Sequence, residues 1–400
     1  MRRLFKTLFV LLLAGLALFL VTWPSEHFLL PTASEGIARS IYRVSFLLRL
    51  PVMIMALSCI PIEGFHVAQS PPLTVFTCAL TPFFWYGLLL GARTLIAGVR
   101  LLRKPIIRNT DVPSPSRRAF LAQSAAGAVL AVPFGMGGYS VLIEPQRLHV
   151  RAYEFPIRDL PAELDGLRIV QVSDTHYGPF ITLPYLQHAV DQANALKGDL
   201  VVLTGDYVHR SPMVIERGIS VFADLKARFG AVAVLGNHDH WEDADACRAA
   251  FKRIGIPCID NARRFLTPDG LSETPYAQRS LCIGGIGDLW EDKTDFAAAT
   301  RDAFPNMPRI VLSHNPDAAE KAPKSLRIDL MCSGHTHGGQ VWIPGVGTPV
   351  VPSKFGQKYA GGVCEGPTCP VLVSRGVGMA FMPIRFGVTP EIGAITLRRA

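Results

Sequence analysis

The chain has 400 residues, 49% of them apolar, with a mean hydropathy of +0.27; this is more than one ordinary core needs and high for a wholly soluble protein. Its formal charge of +8 invites a nucleic-acid reading, yet residues 1–150 hold 14 of the 40 Lys/Arg and only 5 of the 32 Asp/Glu. The basic excess therefore reads as a membrane-topology signal, not a nucleic-acid footprint, and no nucleic acid is expected as partner.

In chain order, residues 1–100 read as a membrane region with about three hydrophobic segments, at 4–21, 44–62 and 73–99. Residues 101–118 read as a basic cytoplasmic linker, because 93–118 carries Arg93, Arg100, Arg103, Lys104, Arg108, Arg117 and Arg118. A Gly/Ala-rich stretch, 119–143, reads as a further anchor. One crossing there places the C-terminal domain on the outer (periplasmic) face of a bacterial inner membrane, in a multi-pass chain. Arg2, Arg3 and Lys6 compete with Arg39, Arg43 and Arg49 for the cytoplasmic side, so one early segment reads as re-entrant or interfacial. The run Ser116-Arg117-Arg118-Ala119-Phe120-Leu121 resembles a twin-arginine export signal, although it is internal and has Ala122 where Lys is usual. Its other reading is the basic flank of an ordinary membrane helix.

Residues 144–161 read as an extended lead into a domain over 150–400. Apolar runs at 167–172, 200–203, 231–235, 309–312 and 328–331 suit buried strands. Helices are predicted at 183–196, 213–228 and 243–254, and the alternation argues for βαβ units. Further runs at 281–286, 371–374 and 394–397 suggest a second sheet. Cys364 and Cys369 flank the turn-forming Glu-Gly-Pro-Thr and read equally as a local disulfide or as two free thiols.

Five short blocks come directly after strand runs: Asp174-Thr175-His176, Gly205-Asp206, Gly236-Asn237-His238-Asp239, His314 and Gly334-His335-Thr336-His337. Ligands of open α/β sheets bind beyond the carboxyl ends of strands, so these distant blocks are expected to converge. Alternation by two would aim Asp174 with His176, and His335 with His337, in common directions. Gly236 is expected to permit an unusual backbone conformation before Asn237. Carboxylate, imidazole and amide oxygen together suit two divalent transition ions, Mn, Fe or Zn. Two such ions about 3.5–4 Å apart would clamp a phosphoryl group and activate water for in-line attack on phosphorus, with His238 serving the leaving oxygen.

The blocks resemble the calcineurin-like metallophosphoesterase superfamily, whose pattern is D-x-H, G-D, G-N-H-[DE], H and G-H-x-H. That resemblance implies a four-layer αββα sandwich within an α/β (α+β) class. It implies that Asp174, His176 and His337 bind one metal, that Asn237, His314 and His335 bind the other, that Asp206 bridges, and that His238 is catalytic. Ser313-His314-Asn315-Pro316-Asp317, Gly338-Gly339-Gln340 and Pro383-Ile384-Arg385-Phe386 are similar to a membrane-associated bacterial phosphodiesterase branch. Gly205-Asp206-Tyr207-Val208-His209-Arg210 departs from the G-D-Y-V-D-R of protein phosphatases, because His209 replaces the Asp that orients their catalytic histidine. Asp239 is then a candidate partner for His238, and Arg210 and Arg385 are candidate phosphate contacts. His188, His209 and His240 fall outside the blocks and fit helix-face or surface roles; Trp241, Trp290 and Trp342 fit core or rim packing.

The expected function is a membrane-anchored dinuclear-metal phosphodiesterase acting on a phosphate ester, such as a lipid headgroup or cell-envelope precursor. The alternatives are a pyrophosphatase acting on a nucleotide-linked lipid, and a catalytically silent metal-containing scaffold.

Overall fold

The computed structural model describes residues 136–276 and 279–400. The segments at 4–21, 44–62 and 73–99, the basic linker, the twin-arginine-like run and most of 119–143 lie outside these residues. Tyr139–Ile143 forms one π-helical turn, and no helix among the described residues is long and apolar enough to cross a membrane.

The extended lead is strand β1 (His149–Ile157). Next come β2 (Arg168–Val172), helix α1 (Leu183–Ala195), β3 (Leu200–Thr204), helix α2 (Ile215–Ser220), β4 (Ala231–Val234) and helix α3 (Asn237–Arg253). Strands β2, β3 and β4 are parallel, which makes the expected βαβ units. The second half supplies β5 (Ala262–Thr267), β6 (Gly270–Ser272), β7 (Leu281–Gly285), helix α4 (Phe296–Ala299), β8 (Arg309–Leu312), β9 (Leu330–Ser333), β10 (Gly362–Glu365), β11 (Pro370–Val373) and β12 (Glu391–Arg399). Among the described residues the strands form two mixed sheets, in the orders β1-β12-β2-β3-β4 and β10-β11-β9-β8-β7-β5-β6.

One buried cluster lies between the sheets, joining Ile169, Leu200, Val202, Val232, Val234 and Ile395 to Leu266, Ile283, Ile310, Leu312, Leu330 and Leu372. The alternate residues of β2, β3 and β4 pack against Leu186, Ala189, Val190 and Ala193 of α1 and Phe251 of α3. On the outer face of the second sheet, Val311, Met331, Val371 and Val373 pack against Phe296, Ala318 and Ala319. Burial on both faces explains why these strands read as continuous apolar runs. Each such aliphatic side chain contributes about 1.5–3 kcal/mol by leaving water.

Three expectations need correction. The run 394–397 lies in the first sheet, where β12 sits between β1 and antiparallel β2; its Ile395 and Leu397 join the inter-sheet core. The helix expected over 213–228 is broken: 3-10 turns flank α2, and the helical path ends at Asp224. Gly218, inside α2, lies so close to Tyr177 that a Cβ would sit 2.8 Å from its ring. Helix α3 begins six residues before the predicted 243, but its backbone leaves the helical path at Asp243, whose carboxylate accepts from the Ala246 N–H at 2.9 Å. The predicted start was thus the cap of the second segment. Cys364 and Cys369 are buried free thiols.

Candidate metal centre

Strands β2, β3 and β4 of one sheet and β8 and β9 of the other all end on the same rim of the sandwich. The loops after them are stitched together by backbone hydrogen bonds: Asp174 N–H to Gly205 O, His176 N–H to Asp206 O, and Gly334 N–H to His314 O. A bond across the two sheets, from the His335 N–H to Asp174 Oδ1 at 2.9 Å, closes the rim.

The convergence does not arise from strand alternation. Ser173–His176 is already outside β2, and Asp174, His176, Asp206, His335 and His337 all have positive φ, between 46° and 71°. Non-glycine residues rarely adopt this left-handed region, and its concentration here is backbone strain held by the surrounding fold. Gly236 is also explained differently from the expectation. Its φ of −107° is open to any residue, but a Cβ there would lie 2.3 Å from Asp206 Oδ1. Close approach, not conformational freedom, requires this glycine.

Two clusters result, both buried. In the first, His176 Nε2 lies 2.9 Å from His337 Nε2, and His337 Nε2 lies 3.3 Å from Asp174 Oδ1. In the second, His314 Nε2 lies 3.1 Å from Asp206 Oδ2 and 3.2 Å from His335 Nδ1. Asp206 faces both, since the same Oδ2 is 3.5 Å from His176 Nε2. Its other oxygen accepts the His238 N–H at 2.8 Å, at the start of α3, where the helix dipole favours negative charge. Asn237 Oδ1, Asp174 Oδ2 and His335 Nε2 are buried without a hydrogen-bond partner.

Electrostatics follow from this crowding. Burial alone would raise Asp206, but His314, His238 and His176 outweigh it and hold the carboxylate well below its usual range. Asp206 in turn overcomes the burial penalty on His314 and lifts it to about 10. Burial, reinforced by Asp206, pushes Asp174 above the usual carboxylate range. In the metal-free rim the Asp206 carboxylate is thus set against the His314 ring. Burial lowers His176 to about 4 and His335 to about 3, so both are neutral donors of a lone pair.

At the other corner of the rim, His238 is not partnered by Asp239. The Asp239 carboxylate accepts from the backbone N–H groups of Asp206, Tyr207 and Gly236 at 2.8–2.9 Å, locking the turn that presents Asp206. The partner of His238 is His209, with Nδ1 to Nδ1 at 3.0 Å. His209 is fully buried, so neither the surface nor the helix-face role expected for it holds. Arg210 lies behind it, its Nε donating to His209 Nε2 at 3.1 Å.

A family model for calcineurin-like phosphoesterases matches residues 167–339. YkuE of Bacillus subtilis, an uncharacterised metallophosphoesterase, is 31% identical to the chain over 71% of its length and 98% of the relative's. The chain belongs to the calcineurin-like metallophosphoesterases. It is a metal-dependent phosphoester hydrolase. Phosphodiesterase YaeI of Escherichia coli is 30% identical, covering 70% of this chain and 99% of the relative. The UDP-2,3-diacylglucosamine pyrophosphatase LpxG of Chlamydia trachomatis is 27% identical, covering 66% and 93%.

The donor set of this metallophosphoesterase fits divalent ions: each cluster gathers imidazole and carboxylate atoms within 4.8 Å, and Asn237 adds an orphaned amide oxygen. Arg385 stands apart from the expected phosphate contact. It is fully buried behind His337, donating to the carbonyl oxygens of Arg375, Gly376, Gly378 and Val388, with one nitrogen 3.4 Å from His337 Nδ1. Its guanidinium braces the back of a ligand-type histidine. Arg210 remains half-buried at the rim, turned toward His209.

Sequence reasoning missed Asp288, just after β7, whose Oδ1 accepts from the Trp290 and Glu291 N–H groups while Oδ2 is unpartnered and buried. No spacing motif marks it. The aromatic rim was only partly anticipated: Trp241 lies 4.4 Å from the His238 ring, Trp290 stands edge-on to His335 at 4.5 Å, and Phe381 lies 5.9 Å from His238.

Proposed function

We propose that the chain is a membrane-anchored, two-metal phosphodiesterase. In this reading Asp174, His176 and His337 hold one ion, Asn237, His314 and His335 hold a second, and Asp206 lies between them. The buried unpaired oxygens of Asn237 and Asp174 carry the proposal, because leaving such atoms without a partner costs about 1–3 kcal/mol each unless a ligand takes them up. Two Mn, Fe or Zn ions bound there would supply positive charge to the phosphoryl oxygens and acidity to the attacking water.

The chain's own side chains supply the rest. His238, fixed by its N–H bond to Asp206 and by His209, presents its ring beside the phosphate and serves the leaving oxygen. Trp241, Trp290 and Phe381 shield the two histidine corners from water and give a flat apolar frame for the group attached to phosphorus. The apolar stretches before residue 143 anchor this site at a bacterial inner membrane, on its outer face, so an amphiphilic phosphate ester reaches it laterally. The name of the LpxG relative favours a second substrate, the diphosphate of a nucleotide-linked lipid.

The test is metal content and hydrolysis by the purified full-length chain in detergent. Two equivalents of transition metal and turnover of bis(p-nitrophenyl) phosphate are expected. Two equivalents without hydrolysis of any ester or diphosphate would instead establish the silent scaffold.

A further inference from the structure

Fourteen large apolar side chains are exposed among the described residues, and five of them, Trp342, Ile343, Val346, Val350 and Phe355, fall in one loop. Single exposed apolar residues are ordinary, whereas a run of them marks a surface that something apolar covers. The sequence carries the same signal, because residues 341–353 hold no charged side chain.

Backbone hydrogen bonds fix the shape of this loop. The Gly347 N–H donates to Ile343 O at 2.9 Å and the Ile343 N–H to Gly347 O at 2.8 Å, closing a tight turn. Gly345 and Gly347 have φ of 79° and 84°, which the turn requires and which side chains disfavour. Ile343, Pro344 and Val346 are thereby held exposed at its tip. The base is tied to the metal rim: Thr348 Oγ1 donates to Gly338 O at 3.2 Å, and Gln340 Nε2 to Met382 O at 3.1 Å. A loop held in this way cannot meet a surface without bringing His337 and its neighbours close to it.

The adjoining chain says which surface. The Phe386 N–H donates to Gln340 O and the Trp342 N–H to Phe386 O, while the Arg385 N–H donates to Ser140 O, all at 2.7–2.9 Å. Ser140 lies at the end of the apolar stretch 119–143, and Leu142 and Ile143 beside it are 71% and 52% exposed. The point where the proposed anchor enters the catalytic domain is therefore bonded to the base of the apolar loop. Lys354 and Lys358 follow the loop and are exposed, Lys358 paired with Glu320, and residues 340–360 contain no Asp or Glu. Basic side chains beside an apolar tip suit anionic headgroups over acyl chains, and an indole suits the boundary between them.

Resting on the membrane-anchored reading above, we propose that the loop 341–355 docks into the lipid bilayer, so that the metal rim faces the headgroups and takes amphiphilic esters from the membrane plane.

The experiment uses the full-length chain in nanodiscs of phosphatidylethanolamine and phosphatidylglycerol. Spin labels are placed at Val346→Cys and, as a far-end control, at Phe304→Cys, with labelled wild type as background. Lipid-soluble oxygen should relax the label at 346, and a water-soluble nickel chelate should reach it about tenfold less than the label at 304. In parallel, Trp342, Ile343 and Val346 are replaced together by Ser. Turnover of phosphatidyl-p-nitrophenol in the bilayer should fall by at least about 10-fold, with bis(p-nitrophenyl) phosphate turnover within about twofold of wild type and metal content unchanged. A label at 346 as open to nickel as that at 304 overturns the proposal, and the anchored reading survives if the chain stays with the nanodiscs. Shielding from both oxygen and nickel also overturns it, since protein (a second copy or an apolar segment of this chain) then covers the loop. Equal loss of both activities in the triple variant overturns it too, by making the loop structural. Wild type that leaves the lipid without detergent refutes the anchored reading itself.

Discussion

The two ends of the sandwich are built from the same strands and treated in opposite ways. At the amino ends of β2 and β8, carboxylates accept the leading backbone N–H groups: Asp199 from Arg168 at 2.9 Å and Asp329 from Arg309 at 2.8 Å. Arg327 joins Asp329 to Asp159, so charges there are paired. At the carboxyl ends, five proposed ligands sit in left-handed backbone, and buried oxygens of Asp174 and Asn237 have no partner. Left-handed residues occur at the far end too, at Asp159 and Lys197, but in exposed turns where strain is cheap. The far end also holds a cavity of about 760 Å³, lined by residues such as Asp159, Glu163, Arg279, Phe304 and Arg399, with no histidine. Buried strain and unsatisfied polar atoms mark the working end.

The largest expected effect breaks the strained end at its centre. Asp206→Asn removes the negative charge that both clusters face, so bound metal should drop below two equivalents. Hydrolysis of bis(p-nitrophenyl) phosphate should fall by about three orders of magnitude or more, roughly 4 kcal/mol of transition-state stabilisation. Full metal content with near-normal turnover would show that Asp206 does not organise the rim. Next in size, His238→Ala should leave metal content unchanged and lower kcat by about 10²–10⁴. Loss of metal in that variant would make His238 a ligand instead.

How much of this contrast was legible in the sequence depends on which physical rule wrote it. Strand runs such as 200–203 and 309–312 were readable because burial on both faces demands unbroken apolar stretches. The ligand blocks were readable because they sit where parallel strands end. The fate of 394–397 was not, since an apolar run does not say which sheet it joins. Nor was Arg385: a basic residue near a phosphate motif reads as a phosphate contact, and only the fold reveals carbonyl oxygens filling its donors. His209 was hidden for a similar reason. The substitution within the phosphatase-like run was visible, but a partnership with His238 across 29 residues is a tertiary fact.

A third prediction sharpens the comparison through pH. His314 is lifted from its ordinary 6.5 to about 10 by Asp206, so in metal-free protein their attraction stabilises the fold fully below about pH 6.5 and is lost as pH rises toward 10. Asp174, raised by burial, works in the same direction over the neutral range. The Tm of chelated protein should therefore fall between pH 6.5 and 9. Metal competes with these protons, so the Tm gained on adding zinc should grow over the same window. Thermal unfolding with and without chelator measures both; a chelated Tm that rises with pH contradicts the charge balance derived for the rim.

The smallest effect is the one that isolates the two ends. Arg327→Ala strips the far end of an arginine that is 14% exposed and bonded to Asp329, itself 13% exposed, and to Asp159. Hydrogen bonds to charged groups of this kind contribute about 1.5–3 kcal/mol, so the variant should unfold at a lower temperature. The inter-sheet core between the ends is built of buried apolar side chains, among them Leu281, Ile283, Ile310 and Leu312. Metal stoichiometry and kcat/KM should therefore match wild type at temperatures where both are folded. A changed kcat/KM with metal retained would mean that the far end helps to hold the strained turns in place, and strain could then no longer be assigned to the rim loops alone.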